Sequence, residues 1–107
     1  MKKDVKTEIQ KLINIYKFGD FNSVLKKCSS LLNDYPKNDF LWNLSGLSFQ
    51  QIGDHKNAIT SFQNALNSNQ NNYSAKNNLA ISYKNIFNYS KAIELLTELI
   101  KKFPKYV

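Results

Sequence analysis

Residues 39–72 read DFLWNLSGLSFQQIGDHKNAITSFQNALNSNQNN, and the order of apolar, small and breaking residues in this stretch decides the fold. Leu41, Leu44, Phe49 and Ile52 keep roughly helical spacing. Gly53 then stops the run, because a residue without a side chain enters a left-handed C-cap at little strain. Asp54 follows as an N-cap whose carboxylate takes the free amides of the next helix. Ala58, Ile59, Phe62, Ala65 and Leu66 recur at i, i+3 and i+4, the stripe of an amphipathic helix. The stretch is two helices joined by a tight turn.

The same pattern lies on both sides of it. Gly19 and Gly53 are 34 residues apart, as are Ala58 and Ala92, and Pro36 and Pro104 are 68 apart. Gly19-Asp20, Gly53-Asp54 and Phe87-Asn88 share one register, and so do Phe21, His55 and Tyr89, and Phe18, Ile52 and Ile86. Three units follow, at about 5–38, 39–72 and 73–106. The first repeats the second helix with Val24, Leu25, Cys28, Leu31 and Leu32, the third with Ala92, Ile93, Leu96, Leu99 and Ile100. Pro36 and Pro104 end second helices, since proline lacks the amide and blocks the preceding turn. Gly46, Ala58, Ala65, Ala80 and Ala92 let helix axes approach closely, and Trp42, Phe49, Phe62 and Tyr83 fill the gaps. The architecture expected is all-α: a solenoid of three antiparallel helix-turn-helix units in a single array over residues 1–107.

Composition agrees with a packed domain and excludes much chemistry. Of 107 residues, 42% are apolar, and only three are Gly and two Pro. One Cys excludes an intrachain disulfide, and one His excludes a two-histidine zinc site, so neither metal nor cofactor is expected. No apolar run reaches the roughly 18 residues of a membrane span. The start, MKKDVKTEIQ, carries charges where a signal peptide needs an apolar stretch, which points to a cytoplasmic chain. All fifteen basic residues are Lys, and Asn is also fifteen. Both are read from A/T-rich codons, so nucleotide bias accounts for the net charge of +7 more simply than an acidic partner does. The charge is split as +4, −1 and +4 over residues 1–38, 39–72 and 73–107, which is no continuous basic stripe.

With these residues in register, the chain resembles the tetratricopeptide repeat family, of a Lys/Asn-rich bacterial type. That motif asks for Trp, Leu, Gly and Tyr in the first helix and Ala, Phe, Ala, then Pro, in the second. The middle unit supplies Trp42, Gly46, Phe49, Ala58, Phe62 and Ala65, and departs at Ser45 and Gln70. The third supplies Leu79, Ala80, Tyr83, Ala92 and Pro104, and departs at Lys76 and Phe87. Phe87 stands where the other units have Gly, so its turn either differs or carries strain. The first unit is degenerate, with Glu8 and Lys11 for the Trp and Leu, while Ile15, Val24, Cys28, Leu31 and Pro36 match in character. A polar face there suits an N-terminal cap. At the other end Leu96, Ile100 and Phe103 form an apolar edge, which implies self-association or further repeats.

Catalytic groupings are lacking. Glu94 and Glu98 are an exposed i, i+4 pair, Cys28 occupies a core register, and His55 fills the place of Phe21 and Tyr89. The resemblance implies instead a concave groove lined by the first helices, holding a protein or extended peptide. Mapped by register, it comprises Lys6, Ile9, Ile13, Tyr16 and Lys17; Phe40, Asn43, Leu47, Gln50 and Gln51; and Ser74, Asn77, Asn78, Ile81, Lys84 and Asn85. Ile13, Leu47 and Ile81 form an apolar row, and Asn43 and Asn77 an amide row extended by Gln50 and Gln51. Amides donate and accept at once, which suits sequence-tolerant recognition of an extended backbone. The family's carboxylate clamp uses Lys and Asn in the first unit, Asn in the second, and Lys and Arg in the third. The corresponding positions here are Ile9, Ile13, Leu44, Ser74 and Asn78, where only the polarity of Asn78 survives and no positive charge does. The expected function is a non-enzymatic binding scaffold. The alternative is the N-terminal substrate-recognition module of a larger bacterial glycosyltransferase or sulfotransferase. Nucleic-acid binding through the lysines ranks last, given the missing Arg and the neutral middle unit.

Overall fold

The computed structural model describes residues 4–103. It contains α1 (Val5–Lys17), α2 (Phe21–Asp34), α3 (Asp39–Gln51), α4 (His55–Ser68), α5 (Tyr73–Asn85) and α6 (Tyr89–Lys102), and no strand among the described residues. Each helix packs on the next, and α3 also packs on α5. The result is an all-α helical repeat solenoid, elongated at 43 × 26 × 22 Å. Pro104 and the end of the third unit lie outside the described residues. Pro36 lies in the turn after α2, which ends at Asp34 with Tyr35 as its C-cap.

Each tight turn is built by one economical device. Gly53 takes φ +80°, its amide donates to Gln50 O (3.0 Å), and the Asp54 amide reaches back to Phe49 O (2.9 Å). Those bonds satisfy the last carbonyls of α3. The Asp54 side chain then accepts from the Asn57 amide and so caps α4. Gly19 and Asp20 repeat the arrangement between α1 and α2. Phe87 and Asn88 repeat it between α5 and α6, with Phe87 at φ +66°. The third turn therefore keeps the shared backbone, and Phe87 bears strain of about 1–2 kcal/mol for an L residue in that region.

The core is set by compensating sizes at one register. A Cβ built on Gly46 would run into the ring of Phe62, the largest fully buried side chain. Only glycine lets α3 approach α4 with that ring between them. One unit later the same two positions hold Ala80 and Leu96; one unit earlier they hold Leu12 and Cys28, both buried in one cluster. The degenerate first unit thus reverses the sizes, large first and small second, and stays filled. Trp42 is half-buried rather than enclosed. Its indole touches both core clusters, and its N–H donates to Pro36 O at 2.9 Å.

Burial also separates the last helix from its counterparts. Ile93 is 63% and Ile100 44% exposed, whereas their register mates Leu25 and Leu32 on α2, and Ile59 and Leu66 on α4, lie at least partly under the helix that follows. The ring of Phe103 stands edge-on to Tyr73, with centroids 4.7 Å apart.

Candidate functional site

The face shared by the first helices is organised by a polar seam between α3 and α5. Asn43 is buried, donating to Ser74 Oγ (3.4 Å) and accepting from Asn78 Nδ2 (3.2 Å). Gln50 Nε2 donates to Asn78 O (2.9 Å) and to Ser82 Oγ (2.8 Å). Amides fit this place because each can donate and accept at once, and an unpaired polar group at its buried positions, Asn43 and Ser82, would cost about 1–3 kcal/mol. Three of the amides expected to face a ligand thus have donors committed to holding two repeats in register.

The remaining residues mapped to the groove are placed differently. Gln51 is exposed, and Asn77 is half-buried, its side chain without a hydrogen bond to the described residues. Leu47 is half-buried against the second core cluster, and Ile81 beside it in register is 36% exposed. Ile13 and Tyr16 on α1 are half-buried, and the Tyr16 ring stands edge-on to Phe21 at 5.2 Å. Lys17 and Lys84 are exposed in the last turns of α1 and α5, where a cation complements the helix dipole. The structure therefore brings Asn43, Gln50 and Asn78 together, while Leu47 and Gln51 on α3 and Asn77, Ile81 and Lys84 on α5 stay outside the seam's hydrogen bonds. Helix α1 makes no contact with α3 comparable to that between α3 and α5.

Sequence reading missed Ser82, the second acceptor of the seam. Ser48 and Ser82 are 34 residues apart and both fully buried, so the matched serines were a usable signal. It also missed Asp39, whose carboxylate accepts from Asn69 (3.2 Å) and Asn72 (2.8 Å) and ties the start of α3 to the following inter-unit loop. The depth of a polar side chain is not encoded in its repeat position.

Away from this face the reactive side chains are quiet. Cys28 is buried, and desolvation pushes its thiol up to about 11, with a Ser45 side-chain hydrogen bond acting in the opposite direction. Glu94 is exposed, and Glu98 pairs with Lys76 at 3.0 Å. His55 is half-buried in the filler row, with Nδ1 enclosed. The described residues hold no cluster of three or more potential metal ligands, and no helix long and apolar enough to cross a membrane.

Comparison with known proteins places this geometry. Residues 41–72 and 78–106 each match a family profile described as tetratricopeptide repeat. An N-terminal acetyltransferase A complex subunit-like protein of Schizosaccharomyces pombe is 32% identical over 62 residues, 58% of this chain and 9% of that protein. The chain thus matches only a small part of that relative's length. The matched units share one turn device, one core register and a continuous seam between their first helices, and the chain belongs to the tetratricopeptide repeat family.

Proposed function

We propose that this chain is a non-enzymatic scaffold that holds an extended segment of a partner protein on the face of its first helices. The observation that carries the reading is the seam of Asn43, Gln50 and Asn78. It fixes α3 against α5 and so presents Leu47 and Ile81 as a rigid apolar row flanked by Gln51 and Asn77. A preformed row lowers the ordering cost of binding. Half-exposed apolar side chains beside free amides suit an extended backbone with alternating side chains. The family supports an interaction role. The thiol of Cys28 is too weakly acidic and too enclosed to act as a nucleophile.

The test is a lysate pull-down at moderate salt with nuclease present. A defined protein retained by the wild type and lost with Gln51→Ala/Asn77→Ala/Ile81→Ala supports the groove. These three side chains lie outside the seam, so the variant keeps its fold, which circular dichroism checks. Retention that is indifferent to the variant would move the binding surface elsewhere.

A second reading has its own observation. The relative is described as subunit-like for an enzyme complex, and this chain aligns with 9% of it. On that reading the array is the recognition segment of a larger assembly, with any chemistry on other parts. The exposed Ile93 and Ile100 support a cover for α6 in that assembly, by further repeats or by another protomer. Sedimentation over a concentration series decides between the covers, because association abolished by Ile93→Lys requires a second protomer. We assign the scaffold to the cytoplasm, a reading that its unpaired cysteine supports.

A further inference from the structure

We propose that the segment held on this face is acidic: an extended run of Asp or Glu residues of a partner protein, with an apolar side chain seated over Leu47 and Ile81. This rests on the groove reading above and adds the charge of the partner. Lys6, Lys17 and Lys84 map to the face by register, are exposed, and make no ion pair with the described residues. No unengaged carboxylate stands among them. Helix α5 contains no acidic residue, and α3 contains only Asp39, which is occupied by Asn69 and Asn72. On α1, Glu8 pairs with Lys11 at 3.6 Å. Asp4, Asp20 and Asp54 cap helices, and Glu98 is held by Lys76.

Nucleotide bias can set how many lysines a chain carries, but not where its carboxylates are engaged. The helix dipole favours Lys17 and Lys84 in last turns but disfavours Lys6 in a first turn, so it does not explain the face as a whole. Lys6 and Lys17 stand at opposite ends of α1, and Lys84 stands two units away. Screening within about 8 Å makes each lysine act only on carboxylates next to it, so the fitting ligand carries its charges spread along an extended chain. Lysine is a point charge on a flexible stem and tolerates variation in carboxylate position, whereas phosphate geometry favours the arginine fork that this chain lacks. Stacking of successive bases of single-stranded RNA is also poorly served, because Tyr16 is already packed on Phe21 and Phe40 is then the single exposed aromatic mapped to the face.

The test is a nitrogen-15 NMR titration of the intact chain with three probes: a short Glu-rich peptide carrying a central Leu, its Gln counterpart, and oligouridylate. The expected shifts with the Glu peptide concentrate at Tyr16–Lys17, Leu47–Gln51 and Asn77–Lys84. Lys17→Glu/Lys84→Glu should weaken that binding about tenfold, the sum of several exposed-pair contributions, while Lys26→Glu/Lys27→Glu on α2 leaves it unchanged. Equal binding of the Gln peptide at the same residues would overturn the acidic preference and keep the groove. Shifts spread evenly over exposed lysines, including Lys26, Lys27 and Lys101, would overturn it as non-specific. Stronger shifts on this face with oligouridylate would replace the acidic peptide with nucleic acid. Absence of shifts on this face with every probe would overturn both the inference and the groove reading.

Discussion

The middle helix pair, α3 with α4, and the last pair, α5 with α6, follow the same backbone path but differ at three matched places. At the core register the middle pair has Gly46 and Phe62, and the last has Ala80 and Leu96. At the turn the middle pair has Gly53, and the last has Phe87. On the outer face of the second helix, Ile59 and Leu66 are half-buried, while Ile93 and Ile100 are exposed. The comparison teaches that the repeat conserves shape rather than residues. A size lost on one helix is regained on its neighbour, and a turn tolerates a poor residue once two backbone hydrogen bonds and an N-cap hold its geometry.

The largest effect that would break this comparison is at its most enclosed position. Phe62→Ala should lower unfolding free energy by about 3–5 kcal/mol, as for a buried aromatic, and Leu96→Ala by less than half of that, because Leu96 is only half-buried. Urea denaturation of both variants checks it, and equal losses would mean that α6 is covered in solution. Gly46→Ala should cost about 1–3 kcal/mol by overpacking against Phe62, offset in part by the roughly 1 kcal/mol helix preference of alanine. Paired with Phe62→Leu, it reproduces the Ala80–Leu96 combination, and the cycle should show favourable coupling of about 1 kcal/mol or more. Additive losses would show that the two positions do not compensate.

Smaller effects sharpen the turns. Phe87→Gly should raise the unfolding free energy by about 0.5–1 kcal/mol, the relieved strain less the added freedom of the unfolded chain. Gly53→Ala should lower it by about 1 kcal/mol, because alanine is strained at positive φ. Thermal melts of the two variants should move in opposite directions. The first pair adds a pH effect that is nil near neutrality. Cys28 in the fold ionises at about 11 and in the unfolded chain near 9.0, so the unfolded chain loses its proton first. Its contribution is complete below pH 9 and falls as pH rises toward 11. Subtracting the profile of Cys28→Ala isolates it from Lys and Tyr titrations, and a flat difference would contradict the enclosure of the thiol.

The sequence by itself determined the helices, their order and their joints. Helical period, Gly19, Gly53, the Asp and Asn caps and Pro36 act within a few residues of one another, and such short-range chemistry is legible without a partner. The 34-residue register made the solenoid legible too, because a unit that cannot cover its own apolar face must stack on a neighbour. Register also carried the proposal of which side chains share the face of the first helices. Only the tertiary structure decided what those side chains do. Asn43, Gln50 and Asn77 read alike along the chain, yet the first two are engaged between α3 and α5 and the third is not, because engagement depends on the distance between helices. Leu12 and Cys28 stand at the register of Gly46 and Phe62, and only packing showed them to be one volume divided differently. Hydrogen bonding and packing across repeats depend on separations that no single helix carries, and for that reason they appear only when the units are assembled.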